Sequence, residues 1–365
     1  MSRRGLLAGA GAAALAPRAG WTAAGAPAFL AAAREADASF ALHGLDARGA
    51  SRFAIPLPAR GHAAAAHPLR PEAVAFARRP GRFALIVDCA EGRETVRLTP
   101  PPGRVFCGHG AFSADGGRLF TTENAFDDGD GRLGIWDASA GYRRIGEVPT
   151  QGIGPHEVVL SPDGGSLVVA NGGILTHPDS GRAKLNLATL RPNLVRLAVE
   201  DGALLGQVEP AARLRRNSLR HLAIAADGAV LCAAQWEGDL RAAPPLLALW
   251  RPGAEALKWR VAPDPWQARL RGYAGSIAVD RSGEAAALTA PRGGLALIFA
   301  GPDLSFDRAV LRPNVCGVAA GGDGFVFTDG GGGVLRAWAG SERSIETSAA
   351  SAGRAWDNHL VSLSA

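Results

Sequence analysis

One segment type recurs along this chain, and it constrains the fold more than any other feature. A short alternating run is followed by a turn rich in Pro, Asp or Gly, then by a more apolar run. The clearest copies are His109 to Asn124 (HGAFSADGGRLFTTEN), His156 to Asn171 (HEVVLSPDGGSLVVAN) and His221 to Gln235 (HLAIAADGAVLCAAQ). Their SPDGG and AADG steps are hairpin turns. Weaker copies start at His62, Ser276 and Cys316, and a half-copy starts at His359. Starts at 62, 109, 156, 221, 276, 316 and 359 repeat every 40 to 65 residues or so, room for four strands per unit, as in a propeller blade.

The rest of each unit fits. After Asn124 come LGIWD (133–137) and YRRIGEV (142–148), a third and a fourth strand. FALIVD (83–88) with ETVRL (94–98) repeats the pattern, and LLALW (246–250) and LALIF (295–299) echo the third strand. The N-terminus offers three unpartnered strands, at residues 29–34, 40–46 and 52–57, and the half-copy at His359 offers one. Three and one make a blade, and sharing it between the termini removes an exposed sheet edge. The expected fold is all-β: a seven-bladed β-propeller closed by pairing of N- and C-terminal strands in one blade, with residues 25–365 as a single domain. A miscount at the weak copies would make it six or eight blades. The 48 Gly and 24 Pro among 365 residues also suit many short strands better than a helical bundle.

The N-terminus reads SRRGLL before a short apolar stretch that ends near Ala16. Paired Arg3 and Arg4 ahead of a weakly hydrophobic run read as a twin-arginine export signal, residues 1–24, with cleavage between Ala16 and Ala24 and the periplasm as destination. That run is too short to cross a bilayer, and no other approaches about 18 apolar residues, so no membrane span is expected once the signal is removed. Cys89, Cys107, Cys232 and Cys316 form no CxxC or CxxCH, so neither a zinc knuckle nor haem attachment is signalled, and no disulfide pair is singled out. The net charge is +5, with no basic run interleaved with aromatics, so a nucleic-acid partner is not expected.

The register of the repeat carries the functional signal. The seven starting positions hold His62, His109, His156, His221, Ser276, Cys316 and His359, so five of the chain's 8 His share one structural position. In a propeller the first strand of each blade lines the central channel. The antiparallel second strand returns to the same face, and its end carries Glu123, Asn124, Asn171, Gln235, Glu237, Arg292 and Asp329, with Asn358 just before the last His. These are the candidate ligand-binding residues, expected to converge with the five candidate metal-ligating histidines at one channel mouth. Imidazole suits Cu, Fe, Zn and Ni. The competing reading has each His bonding backbone within its own blade, as the Gly-His pair of WD-type propellers does; Gly61-His62 and Gly108-His109 look similar.

Other features read more plainly. His43 falls in a third strand and reads as packing or surface, and His67 before Pro68 as a turn residue. His177 lies in a long connection, 172–192, which either lids the mouth or is a plain insertion. DDGDG at 127–131 is an acidic turn rather than a full calcium loop. Gly330 to Gly333 lack the Lys and Ser/Thr of a phosphate loop. Ser218 and Ser276 lack a nucleophile elbow. Trp136, Trp250 and Trp338 read as blade packing.

These motifs resemble a bacterial family known as domain of unknown function 1513. The resemblance rests on ARGH at 59–62, FARRPGRFALIVD at 76–88, GHGAFSADG at 108–116, TTEN at 121–124 and GIGPHEVVLSPDG at 152–164. It continues through VANGGILTHPDSGRAKLNL at 169–187, SLRHLAI at 218–224, QWEG at 235–238, RGYAGSIA at 271–278, PRGG at 291–294, CGVA at 316–319 and WDNHLVSL at 356–363. Ala59, Asn217-Ser218 and Ala290 are small departures. The resemblance implies an exported periplasmic propeller without an established activity. It also implies neighbours such as imelysin-like and di-haem-peroxidase-like proteins linked to iron acquisition. Three functions follow as expectations: a binding or accessory protein in metal handling, with Fe or Cu as the metal; a metal-dependent lactonase- or lyase-like enzyme using Glu123, His156 and His221; or an interaction scaffold with structural histidines.

Overall fold

The computed structural model describes residues 20–78, 82–181, 183–340, 346–351 and 353–363. Nearly all of the expected export signal, residues 1–19, lies outside them. Trp21–Ala24 form a short 3-10 turn in which Trp21 is buried and its indole Nε1 donates to the carbonyl of His67 at 3.0 Å.

The strands form seven four-stranded sheets, the seven blades of a propeller. Their inner strands, numbered here as blades 1 to 7, are Gly61–Ala66, Arg104–Phe112, Pro155–Leu160, Asn217–Ile224, Ser276–Val279, Val315–Gly321 and Ala355–Ser362. Each begins at or just before one of the seven starts of the repeat. Blade 7 is composite. Its inner strand, Ala355–Ser362, pairs antiparallel with Phe29–Arg34, which pairs with Phe40–Leu45, which pairs with Ser51–Leu57. The closure expected from the sequence is therefore present.

Burial explains the patterning. A second strand has a neighbouring blade on each face and reads as a continuous apolar run. Ser166–Asn171, Ala285–Ala290 and Gly324–Asp329 are buried along their whole length. A fourth strand lies at the rim, and Arg93–Leu98 (RETVRL) exposes four of its six residues, burying only Leu98. The buried apolar side chains fall into clusters that each join two adjacent blades around the ring. Phe76 and Ile86 of blade 1, for example, pack with Leu119 and Trp136 of blade 2. Trp136, Trp250 and Trp338 are buried in the blades, as expected. Among the described residues no helix is long and apolar enough to cross a membrane.

One irregularity recurs where it matters. The inner strands of blades 1, 2, 3, 4 and 6 each shift register against their neighbour near their starts, and blade 7 does so opposite residues 357–359. Blade 5, which starts at Ser276, pairs without a shift. A bulge gives one strand an extra residue, breaks the strict in-out alternation and re-aims a side chain. All five channel histidines sit in or beside such a bulge.

Candidate metal centre in the central channel

The bulges bring His62, His109, His156, His221 and His359 together. His109 lies 5.0 Å from His62, 5.0 Å from His156, 6.0 Å from His221 and 4.7 Å from His359, measured between ring centroids. His156 and His221 are 4.8 Å apart, as are His221 and His359, and His62 and His359 are 4.6 Å apart. The ring contacts are edge-to-face or tilted, and none is a flat stack. Two sets, His62 with His109 and His359, and His109 with His156 and His221, place one nitrogen from each ring within 4.8 Å of the others. Close approach requires Gly108: its φ is +103°, and a Cβ there would meet His62 Cδ2 at 2.9 Å.

Most of the cluster is shielded from solvent. His109, His221 and His359 are at most 7% exposed, and His62 keeps 11% of its side chain exposed. Burial pushes the pKa of His109, His156 and His359 well below the usual imidazole value, and the neighbouring imidazoles add to this, with Arg220 beside His156 contributing as well. Burial also lowers that of His62, against the opposing pull of Asp357. Neutral imidazole is the form that binds metal. His109 Nε2, His156 Nε2 and His359 Nε2 are buried without a hydrogen-bond partner. The Gly-His backbone bonding expected of a WD-type propeller is not made at these nitrogens.

Two carboxylates frame the cluster. Glu157 on blade 3 places Oε1 3.6 Å from His109 Nδ1 and Oε2 3.5 Å from His221 Nδ1, and accepts the backbone N–H of Leu222 at 2.9 Å. Asp357 lies 3.7 Å from His62 Nδ1 and accepts from Arg60 and Arg78, each at 2.5 Å. Burial works against ionisation of Asp357, but His62, Arg78 and Arg60 together hold its carboxyl well below the usual carboxylate range. Arg220 sits 3.4 Å from His156 Nδ1. Sequence reasoning did not single out Glu157 or Arg220. Each adjoins a channel His, and only the bulges let consecutive residues share the channel.

The eight polar residues expected around the mouth take other places. Glu123 is fully buried, accepting Arg144 at 2.7 and 2.9 Å and the Thr121 hydroxyl at 2.7 Å. Asn124 donates to the carbonyl of Thr176 at 3.0 Å, and Glu237 pairs with Lys184. Both fasten the 172–192 connection. Asn171 bonds the Thr150 carbonyl at 2.7 Å and Asn193 at 2.8 Å. Gln235 donates to the carbonyl of Ala274 at 3.2 Å. Asp329 accepts from Arg312 at 2.6 Å and from Gly331 and Gly333, shaping the GGGG turn. Asn358 donates to the Tyr273 hydroxyl at 3.2 Å, and Arg292 stacks on the same Tyr273 ring at 4.2 Å. These groups tie loops and strand ends together. Except for Asn358, which lies on the inner strand of blade 7, the reason is register: they sit on second strands or at loop ends, whereas the channel is supplied by bulged first strands.

The open space also lies on the other side of the rings. A cavity of about 850 Å³ is lined by His109, His221, His359 and Glu157 at one end. It reaches Ala114, Pro162, Ala226 and Arg281, exposed at the far ends of the first strands. The histidines are thus the floor of a shaft that opens on the face opposite the strand starts, rather than an open ring at the near mouth. Ser276 lines the shaft, but Cys316 turns its thiol to the carbonyls of Asp357 and Trp356, and burial raises its pKa to about 12. All four cysteines are free.

The fold likeness extends to solved structures. Hydrazine synthase from Kuenenia stuttgartiensis superposes with a TM-score of 0.58 at 14% identity, over 86% of this chain and 90% of that one. The β-propeller domain of Myceliophteria thermophila Cps50 (Swd1) does so with 0.52 at 17% identity, over 75% and 80%. At such identities the likeness is one of fold. No functionally curated protein matches the chain. The profile of one family, described as protein of unknown function (DUF1513), matches residues 55–363. That match spans the propeller from the first blade to the closing strand and includes every channel histidine, so the chain belongs to the DUF1513 family.

Proposed function

We propose that this chain is a periplasmic binding or accessory protein in metal handling, and that it holds a transition-metal ion, iron or copper, on the histidines across its channel. One observation carries the reading: buried imidazoles from five blades turn nitrogens toward each other and leave several without a partner. An unsatisfied buried polar group costs about 1–3 kcal/mol. A cluster of them is an expensive way to fill a channel that alanine or valine could line, and a bound cation relieves it. The donor set is nitrogen-rich, which suits Cu and Fe over Mg or Ca. Glu157 supports the reading as a carboxylate beside Nδ1 of both His109 and His221, at 3.6 and 3.5 Å.

The lactonase- or lyase-like reading is weaker, because Arg144 and Thr121 already occupy the Glu123 carboxylate that it needs. Elemental analysis of natively exported protein tests the proposal, set against a His109→Ala, His156→Ala, His221→Ala variant. The wild type is expected to carry Fe or Cu and the variant neither. Wild-type protein that holds no Fe, Cu or Zn, and gains no thermal stability when they are added, sinks the proposal.

A further inference from the structure

The walls of the shaft say what kind of molecule reaches its floor. Between the histidines and the far rim the inner strands present Ala64, Ala111, Val159, Ala223, Val279 and Ala320 to the cavity. These side chains are neither fully buried nor fully exposed. Charge appears only at the ends, as Glu157 beside the histidines and as Asp280 and Arg281 at the rim. At about 850 Å³ the space falls within the range of pockets that enclose a whole small ligand. A lone ion or a diatomic molecule leaves most of it empty.

The near side is lined by charge. Arg60 and Arg78 clamp Asp357 over His62, and Arg220 stands beside His156. The two ends of the site are therefore different in kind: charged behind the rings, apolar and open in front of them.

We propose that the shaft takes an amphiphilic small molecule, with an apolar body along the alanine and valine walls and a metal-ligating head against His109, His221 and His359. This rests on the metal reading above for the head and on the shaft alone for the body. The head replaces water at the floor, and the body covers apolar wall that otherwise faces solvent.

A homologous series of n-alkyl hydroxamic acids, from acetyl to decanoyl, tests it by calorimetry on metal-free and copper- or iron-loaded protein. Each added methylene is expected to tighten binding about threefold to fourfold until the shaft is full. Ala111→Phe and Ala223→Phe, made singly, narrow the shaft above the rings. Each is expected to flatten the dependence on chain length without changing metal content.

The two proposals fail separately. Protein that takes up no metal overturns the metal reading, and the slope with chain length on that metal-free protein still measures the shaft. Affinity that does not change with chain length in the wild type overturns the amphiphile. So does a slope that survives in both phenylalanine variants, because the chain then binds elsewhere.

Discussion

Two groups of histidine in this molecule lie in its interior and are differently satisfied. His43 and His67 are each 1% exposed. His43 places Nδ1 2.9 Å from the Ser51 hydroxyl and Nε2 2.7 Å from Glu35. His67 Nδ1 accepts the backbone N–H groups of Leu69 and Arg70 at 3.0 and 2.9 Å, and Nε2 donates to the Gly116 carbonyl at 3.1 Å. Every ring nitrogen of this pair has work within the fold. In the channel, at comparable burial for His109, His221 and His359, Nε2 of His109, His156 and His359 has none. Burial alone therefore does not separate a structural histidine from a ligand; hydrogen-bond accounting does.

Metal content separates the groups most sharply. His109→Ala with His221→Ala is expected to drop bound metal to background, whereas His43→Ala keeps the wild-type ratio of metal to folded protein by elemental analysis. Acid titration of the metal-free protein comes next. The folded state keeps His109, His156 and His359 neutral because burial lowers their pKa, while the unfolded chain takes up protons near the ordinary imidazole value. Stability is thus retained above about pH 6.5 and lost as pH falls, by up to about 1.4 kcal/mol per pH unit for each group. Urea unfolding between pH 7.5 and 5.5 measures that slope, and His109→Gln should reduce it. An unchanged slope would place the sensitivity outside the cluster.

His67→Ala is expected to cost about 2–3 kcal/mol in denaturant unfolding, because two N–H donors and a carbonyl lose their partner. Metal per folded molecule should not change. Glu157→Gln keeps the shape but removes the charge behind His109 and His221, and should weaken metal binding about 10- to 100-fold in a competition titration. His177→Ala marks the floor of the scale. That ring is 31% exposed beside Phe126, and its loss should move stability by no more than about 0.5 kcal/mol with metal content intact.

The repeat made the fold legible. Hairpin turns such as SPDGG, with apolar second strands, located seven blades, and the leftover strands at the two ends located the closure. The histidine cluster was legible for the same reason, since a residue at a fixed place in every repeat occupies a fixed place around the axis. Its surroundings were not. Period-two alternation assigns His156 and Glu157 to opposite faces, and a bulge puts both beside the channel. The same device seats Arg220 beside His156. Second-strand ends such as Glu123 and Asn171 looked functional because they return to the correct face. Their side chains are held by Arg144 and Asn193, partners far along the chain that no local pattern reveals. The direction in which the shaft opens is likewise a property of packed side chains.

The strand that shuts the wheel also delivers His359. Ala355–Ser362 pairs with Phe29–Arg34, so the pairing that closes the ring also fixes where one of the five channel imidazoles stands. Opening that pairing removes the latch and displaces His359 in one event. Ring closure and the assembly of the histidine cluster therefore stand or fall together.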